Sequence, residues 1–335
     1  MIRVGLAGFG LAGSVFHAPL IRATEGMELR GIHTSRDVPL RVDGLDDLLE
    51  RSDLVVVATP NATHFDIAQA ALNAGKHVIV DKPFTVTLSE ADELITRARE
   101  VRRTLTVFQN RRWDSDFMTA RKVLPSLGEV TLFEAHWDRF RPTIKTGWRE
   151  NPQPGGGLFN DLGPHLIDQA LALYGLPEAV SGDVQRQRRD ALADDYFDVT
   201  LFYGTKRVCL RSSSLITEPR PRFAIYGMSG SFLRYGLDPQ EGQLKAGTDP
   251  RSKEFGIDQQ DGLLALADGK REWVKSERGN YLAFYEGVAD AILKGQQVPV
   301  DPRDARAGLM IIDLARRSAE LGQRLPVPVA NLTVG

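Results

Sequence analysis

Met1-Ile2-Arg3-Val4-Gly5-Leu6-Ala7-Gly8-Phe9-Gly10-Leu11-Ala12-Gly13 opens the chain, and its reading decides the fold. Ile2, Val4 and Leu6 alternate as in a strand. The next glycines spell Gly-x-Gly-x-x-Gly, and Ser14 to Thr24 reads as helix. Strand, glycine turn and helix in that order form the phosphate-gripping corner of a dinucleotide fold. Gly8 permits the tight turn and Gly10 lets the backbone approach a pyrophosphate. Gly13 lets the helix pack close to the strand, so that the helix N-terminus faces the anion. Gly8, Gly10, Leu11, Ala12 and Gly13 are the first candidate cofactor contacts. Such glycines also occur in methyltransferases and by chance, so the position between strand and helix carries the reading.

The pattern continues outward from this corner. A second strand spans 28–33. Leu54-Val55-Val56-Val57-Ala58 is a continuous apolar run, as in a central parallel strand covered on both faces. Strands at 77–80 and 105–108 alternate with helices at 64–74 and 89–101. In an open parallel sheet, ligands lie beyond the carboxyl ends of the strands. Polar residues gather at those ends: Thr59, Pro60, Asn61 and His64, then Asp81 and Lys82, then Asn110 and Arg111. All are expected to border the cofactor. The second strand ends in His33-Thr34-Ser35-Arg36, where an NAD-binding chain usually places an acid for the ribose. A carboxylate would repel a 2′-phosphate, whereas Thr34, Ser35 and Arg36 would bind one, so NADP is expected over NAD. In the alternative reading Arg36 is a loop charge and Asp37 serves the ribose. Lys82, before Pro83, either points into the cleft, where its ammonium would steady an oxyanion, or is an ordinary surface lysine.

After a helix at 115–124 the pattern changes. Residues 129–138 alternate as a strand, and a Pro- and Gly-rich loop leads into Gly157-Leu158-Phe159-Asn160-Asp161-Leu162-Gly163-Pro164-His165-Leu166-Ile167-Asp168, read as helix. Asp161, His165 and Asp168 stand at i, i+4 and i+7 and share one face. They form either an acid–base pair with its orienting carboxylate or a buried hydrogen bond that fastens the helix. Nothing supplies further ligands at metal spacing, so no metal is expected. Short strands fill 179–235, residues 238–279 read as polar and irregular, and helices at 281–294 and 302–321 close the chain. Strands bunched after a βα half predict an α+β second domain with a largely antiparallel sheet. The expected division is a dinucleotide-binding domain at 1–124 and a substrate and oligomerisation domain at 125–335, with the C-terminal helix packing back on the first.

Composition narrows the function. A chain of 335 residues suits two domains, and a net charge of −2 argues against nucleic acid. A single cysteine, Cys209, excludes an intramolecular disulfide and suits a reducing cytoplasm. No apolar run approaches the roughly 20 residues of a membrane helix.

These stations together resemble the Gfo/Idh/MocA family, the glucose–fructose oxidoreductase and inositol dehydrogenase group. The resemblance rests on the glycine motif, Thr59-Pro60-Asn61 with His64, Ala74-Gly75-Lys76-His77-Val78, Asp81-Lys82-Pro83, and Gly155-Gly156-Gly157 followed by Asp161 and His165. The runs 15–20, 110–117 and 235–240 are similar to one bacterial branch, which includes YdgJ-type oxidoreductases and NADP-dependent scyllo-inositol dehydrogenases. The resemblance implies a Rossmann domain, then an α/β domain whose open sheet makes a homodimer or homotetramer. It also implies a hydride-transfer site of Lys82, Asp161 and His165, with Trp148, Arg149 and Asp168 as further substrate candidates. Asp81 stands where the family usually has Glu. The expected activity is that of an NADP-dependent dehydrogenase on CH–OH groups (EC 1.1.1.-) of a polyol or sugar. A non-catalytic dinucleotide sensor and an NAD-dependent glycosidase are the alternatives.

Overall fold

The computed structural model describes residues 1–145, 147, 150–151 and 156–328. In chain order the strands are β1 (Ile2–Ala7), β2 (Met27–His33), β3 (Arg41–Val42), β4 (Leu54–Val57), β5 (His77–Val80), β6 (Leu105–Val107), β7 (Val130–His136), β8 (Ala179–Gln185), β9 (Tyr196–Tyr203), β10 (Lys206–Ser213), β11 (Phe223–Gly227), β12 (Gly230–Arg234), β13 (Gly262–Leu266), β14 (Arg271–Val274) and β15 (Leu325–Pro326). The helices are α1 (Ala18–Ala23), α2 (Leu45–Glu50), α3 (His64–Asn73), α4 (Leu88–Glu100), α5 (Ser115–Val123), α6 (Leu158–Tyr174), α7 (Gln240–Lys245), α8 (Leu282–Lys294) and α9 (Pro302–Leu321).

The first six strands form a parallel sheet in the order β3-β2-β1-β4-β5-β6. The order reverses between β1 and β4, which opens a crevice at their carboxyl ends, where dinucleotides bind in folds of this order. Every residue of β4 is fully buried, which explains its unbroken apolar run. Helix α4 begins with a reciprocal cap: Glu90 N donates to Thr87 Oγ1, and the Glu90 carboxylate accepts from Thr87 N. Cap and acidic first turn together start the helix where the sequence places it.

The second sheet has nine strands in the order β14-β13-β12-β11-β7-β10-β9-β8-β15. All neighbours are antiparallel except β7 and β10. Alternation fixes the covered face: Phe197, Val199 and Leu201 of β9 are buried under α6. Among the described residues, no helix is long and apolar enough to cross a membrane.

The chain folds into two compact units, but not as two contiguous halves. One holds Met1–Trp113, Pro239–Gly256 and Asn280–Arg306; the other holds Asp114–Asp238, Ile257–Gly279 and Ala307–Gly335. A single cut after residue 124 therefore misses two returns of the chain. The physical reason is core completion. Leu244, Phe255, Tyr281, Phe284, Tyr285 and Val288 are buried in the same cluster as Ile2, Val4, Leu6 and Leu29. The stretch 238–279, read as irregular, contains α7, β13 and β14.

Candidate functional site

The glycine corner fits a dinucleotide at each of its three glycines. Gly8 has φ +98°, and a methyl group there would stand 2.4 Å from the Ala58 carbonyl oxygen. At Gly13 a methyl group would stand 2.2 Å from Gly8 O, so helix and turn can approach only without one. At Gly10 no protein atom beyond the adjoining chain lies within 4 Å of that position, which leaves the space a pyrophosphate would take. The turn leads into a wide π-type stretch at Ala12–His17, and α1 continues from it. Such wide turns recur at functional sites. Gly8 N donates to His33 O at 2.9 Å, which ties this corner to the tip of β2. Beyond the tip, Arg36 N donates to Thr34 Oγ1 at 3.2 Å, and the Ser35 and Arg36 side chains are exposed.

After β4, Thr63 Oγ1 lies 2.8 Å from both Thr59 Oγ1 and Pro60 O, which shapes the loop 59–63. The Asn61 Oδ1 atom is buried without a hydrogen-bond partner. A buried acceptor left this way carries an energetic cost that a ligand N–H or O–H would remove. His64 is turned inward. Its Nδ1 lies 2.9 Å from Pro83 O and its Nε2 lies 2.9 Å from Thr59 O, so the ring braces two loops from within rather than facing a ligand.

At the end of β5, Lys82 N donates to Asp81 Oδ1 at 2.8 Å, and the Lys82–Pro83 peptide bond is cis. Burial raises the Asp81 carboxyl, but His17, His64 and Lys82 outweigh burial and hold it below the usual carboxylate range. Arg111 also departs from expectation. It is buried, pairs with Glu241, and donates to Tyr281 Oη at 2.6 Å. Its guanidinium pins α7 and the 280s to this unit instead of facing a cofactor. Asn110 beside it is buried too.

The second unit carries Asp161, His165 and Asp168. Gly157, with φ +91°, precedes α6; there a methyl group would meet Asp194 Oδ1 at 2.3 Å. Asp194 Oδ2 accepts from Phe159 N at 2.6 Å, so a carboxylate sits on the helix N-terminus. Burial raises the Asp194 carboxyl nonetheless. The polar face read from the i, i+4, i+7 spacing is not a solvated one, because α6 is buried all round from Leu158 to Ala170 apart from Asn160. Asp161 Oδ2 stands 3.6 Å from Arg139 Nη1. The His165 ring stacks on Trp137 with centroids 5.9 Å apart and planes at 30°. Arg222 lies over the same indole at 5.2 Å and donates to Gln169 Oε1 at 2.6 Å. Asp168 is buried on the next turn of α6. Trp148 and Arg149 lie outside the described residues.

A cleft in this unit is lined by Arg139, Arg141, Glu150, Asp161, Arg188, Asp194 and Ser214, with Gly157 and Leu158. Arg188 is fixed there by Glu150 at 2.6 Å and Asp195 at 2.8 Å. The cleft thus sets the paired Arg139 and Arg188 beside the held carboxylates of Glu150, Asp161 and Asp194. Sequence reasoning missed Arg139, Trp137 and Arg188, because only the β7–β10 pairing and the loops around it bring them to α6. Among the described residues no three His, Cys, Asp or Glu side chains gather as metal ligands.

Comparison with known proteins agrees with this fold. Residues 2–109 match the oxidoreductase family's NAD-binding Rossmann fold, and residues 124–329 match its C-terminal alpha/beta domain. The chain is 43% identical over 334 residues to the oxidoreductase YdgJ of Escherichia coli, covering 95% of this chain and 96% of that protein. It is 37% identical over 336 residues to IolW of Bacillus subtilis, named a scyllo-inositol 2-dehydrogenase (NADP(+)), covering 95% and 94%. Among solved structures, the YPO2259 oxidoreductase of Yersinia pestis superposes with a TM-score of 0.94 at 43% identity, over 98% of both chains.

Proposed function

The chain belongs to the Gfo/Idh/MocA family of NAD(P)-binding oxidoreductases, and from that premise we propose that it is an NADP-dependent dehydrogenase of a polyol, an inositol in the first place. The observation that carries the cofactor choice is the tip of β2. No acid follows His33 directly, and the exposed Ser35 and Arg36 stand where a 2′-phosphate would need charge-assisted donors. The likeness to the scyllo-inositol 2-dehydrogenase (NADP(+)) of Bacillus subtilis supports a polyhydroxyl substrate, and charged groups held around Asp161, Arg188 with Glu150 and Asp195 among them, suit one.

Bound NADP supplies the hydride acceptor. The residues do the rest. The backbone at Gly10, Leu11 and Ala12 would hold the pyrophosphate, and Thr34, Ser35 and Arg36 would hold the 2′-phosphate. Thr59, Pro60 and Asn61 would border the cofactor. His165 takes the substrate hydroxyl proton on its imidazole, and Lys82 steadies the developing oxyanion. Asp161 supports the imidazolium that results, and Asp168 lies on the substrate side. The open sheet of the second unit, with Trp273 of β14 and Met228 of the β11–β12 turn exposed, serves a homodimer or homotetramer.

The test is a spectrophotometric scan with NAD and NADP in parallel against scyllo-inositol, myo-inositol and a set of sugars. NADP-dependent turnover of an inositol, lost on Lys82→Ala and on His165→Ala, is the expected result. Turnover with NAD alone overturns the Ser35–Arg36 reading. Near-full turnover in both variants overturns the catalytic assignment. Tight cofactor binding without any turnover points to a sensor, and glycoside cleavage without net reduction points to a glycosidase.

A further inference from the structure

We propose that His17 and Tyr285 are positioning residues that act through Asp81 to set the place and charge of Lys82. The proposal rests on the reading of Lys82 as an active-site lysine and adds a line of groups behind it. His17 follows the glycine turn on the π-type stretch and is completely buried. Its Nδ1 lies 2.6 Å from Tyr285 Oη, which α8 brings in from the far end of the chain. Its Nε2 is buried, has no hydrogen-bond partner, and faces Asp81 Oδ2 at 3.7 Å. The other Asp81 oxygen holds Lys82 N at 2.8 Å.

The proposal assigns the tautomer with the phenol as donor to Nδ1. Burial, and then the charge of Asp81, raise the Tyr285 phenol well above its ordinary value, so it keeps its proton. A phenol that donates to Nδ1 leaves the ring N–H on Nε2, toward the carboxylate. Phe108 against one side of the imidazole, with centroids 4.5 Å apart, keeps it from turning. Asp81 is thereby held as an anion beside the Lys82 main chain. The charged and titratable groups acting on that carboxylate are His17, His64 and Lys82, with the Tyr285 phenol behind His17. The line also runs from the helix that carries the glycine corner to the lysine. The part that receives the pyrophosphate and the part that meets the substrate are then one device.

The two amide replacements of His17 separate this role from plain packing. Gln places a polar group near Nε2, toward Asp81, whereas Asn places one near Nδ1, toward Tyr285. The first readout needs no turnover: acetic anhydride labelling of Lys82 in the cofactor-free full chain, followed by mass spectrometry. His17→Asn is expected to change the Lys82 labelling rate several-fold, on the order of the effect of one moved neighbouring charge. His17→Gln is expected to stay near wild type, and Tyr285→Phe to shift in the direction of His17→Asn by less. The second readout is kcat in a cycle with Lys82→Met: His17→Asn costs about tenfold in the wild-type background and nothing further in the Lys82→Met background. Equal losses in both backgrounds, unchanged labelling in His17→Asn and Tyr285→Phe, or equal behaviour of the Gln and Asn variants would each overturn the proposal. Full turnover in Lys82→Met with the labelling pattern intact would instead sink the catalytic reading of Lys82 and leave the positioning line standing.

Discussion

Gly8 and Ala58 meet backbone to backbone across the crevice between β1 and β4, with only 2.4 Å from a methyl group placed on Gly8 to the Ala58 carbonyl oxygen. Gly13 is as tightly placed against Gly8, and Gly10 is not placed against anything. The three glycines therefore separate into two that the fold requires and one, Gly10, that the proposed cofactor site would use. Gly13→Ala should lower stability by roughly 1–3 kcal/mol, since backbone has to move to admit the methyl group. Gly10→Ala should leave the melting temperature unchanged and weaken NADP binding at least about tenfold, because the methyl fills the ligand's space. Thermal melts with a fluorescence titration of NADP check both. A Gly10→Ala variant with unchanged affinity would move the pyrophosphate elsewhere.

In the proposed function, Arg36 carries the choice between two cofactors. A charge-assisted hydrogen bond contributes about 1.5–3 kcal/mol, so Arg36→Ala should weaken NADP about tenfold to a hundredfold. Its effect on NAD, which lacks the 2′-phosphate, should be small. The ratio of the two dissociation constants is the quantity to measure. If Arg36→Ala weakens both cofactors alike, Arg36 is not reading the phosphate.

The same residues show what a sequence can and cannot carry. β4 is legible because burial on both faces demands an unbroken apolar run, and α4 because its cap is local. α7 is not: six residues with Leu244 and Gln240 as their buried members form a helix where the Rossmann core receives them. β14 alternates between exposed and half-exposed positions at the sheet edge, so its pattern has no buried face to announce it. In the proposed site, Lys82 and His165 stand out in the sequence as residue types at strand end and helix face. Their partners do not, because contacts such as Tyr285 to His17 span 268 positions and follow from the fold alone.

Acid should weaken the protein through Glu241. Burial alone would raise this carboxyl, but the Arg111 guanidinium, with Lys245, overrides burial and holds it at about 2, against an ordinary 4.5. A carboxyl depressed on folding contributes stability above its unfolded pKa and loses it as pH falls through the folded one. The contribution of Glu241 is thus whole above about pH 4.5 and gone near pH 2. Glu241→Gln should lower the urea midpoint at pH 7 and flatten its decline across that window. A variant whose decline parallels the wild type would place the acid-labile contact elsewhere, Asp53 with Arg3 being the next such pair.

Arg188 is the side chain on which the cleft beside Asp161 depends. It is nearly buried, with Glu150 on one side and the fully buried Asp195 on the other. Removing one member of such a group leaves an uncompensated charge, at a cost of about 3–5 kcal/mol. Arg188→Met should therefore lower the melting temperature by roughly 10 °C. Asp195→Asn in the same chain should recover part of that loss, because it removes the stranded charge. The recovery should be incomplete, since both Asp195 oxygens accept backbone N–H groups, from Gln187 at 2.6 Å and Arg188 at 3.0 Å, and an amide keeps only one such acceptor. Substrate KM offers a second reading of the same variants. If the cleft binds a polyol, Arg188→Met raises KM even at temperatures well below unfolding, and Asp195→Asn does not restore it. Restoration of both quantities together would mean that Arg188 shapes the fold and has no part in holding the substrate.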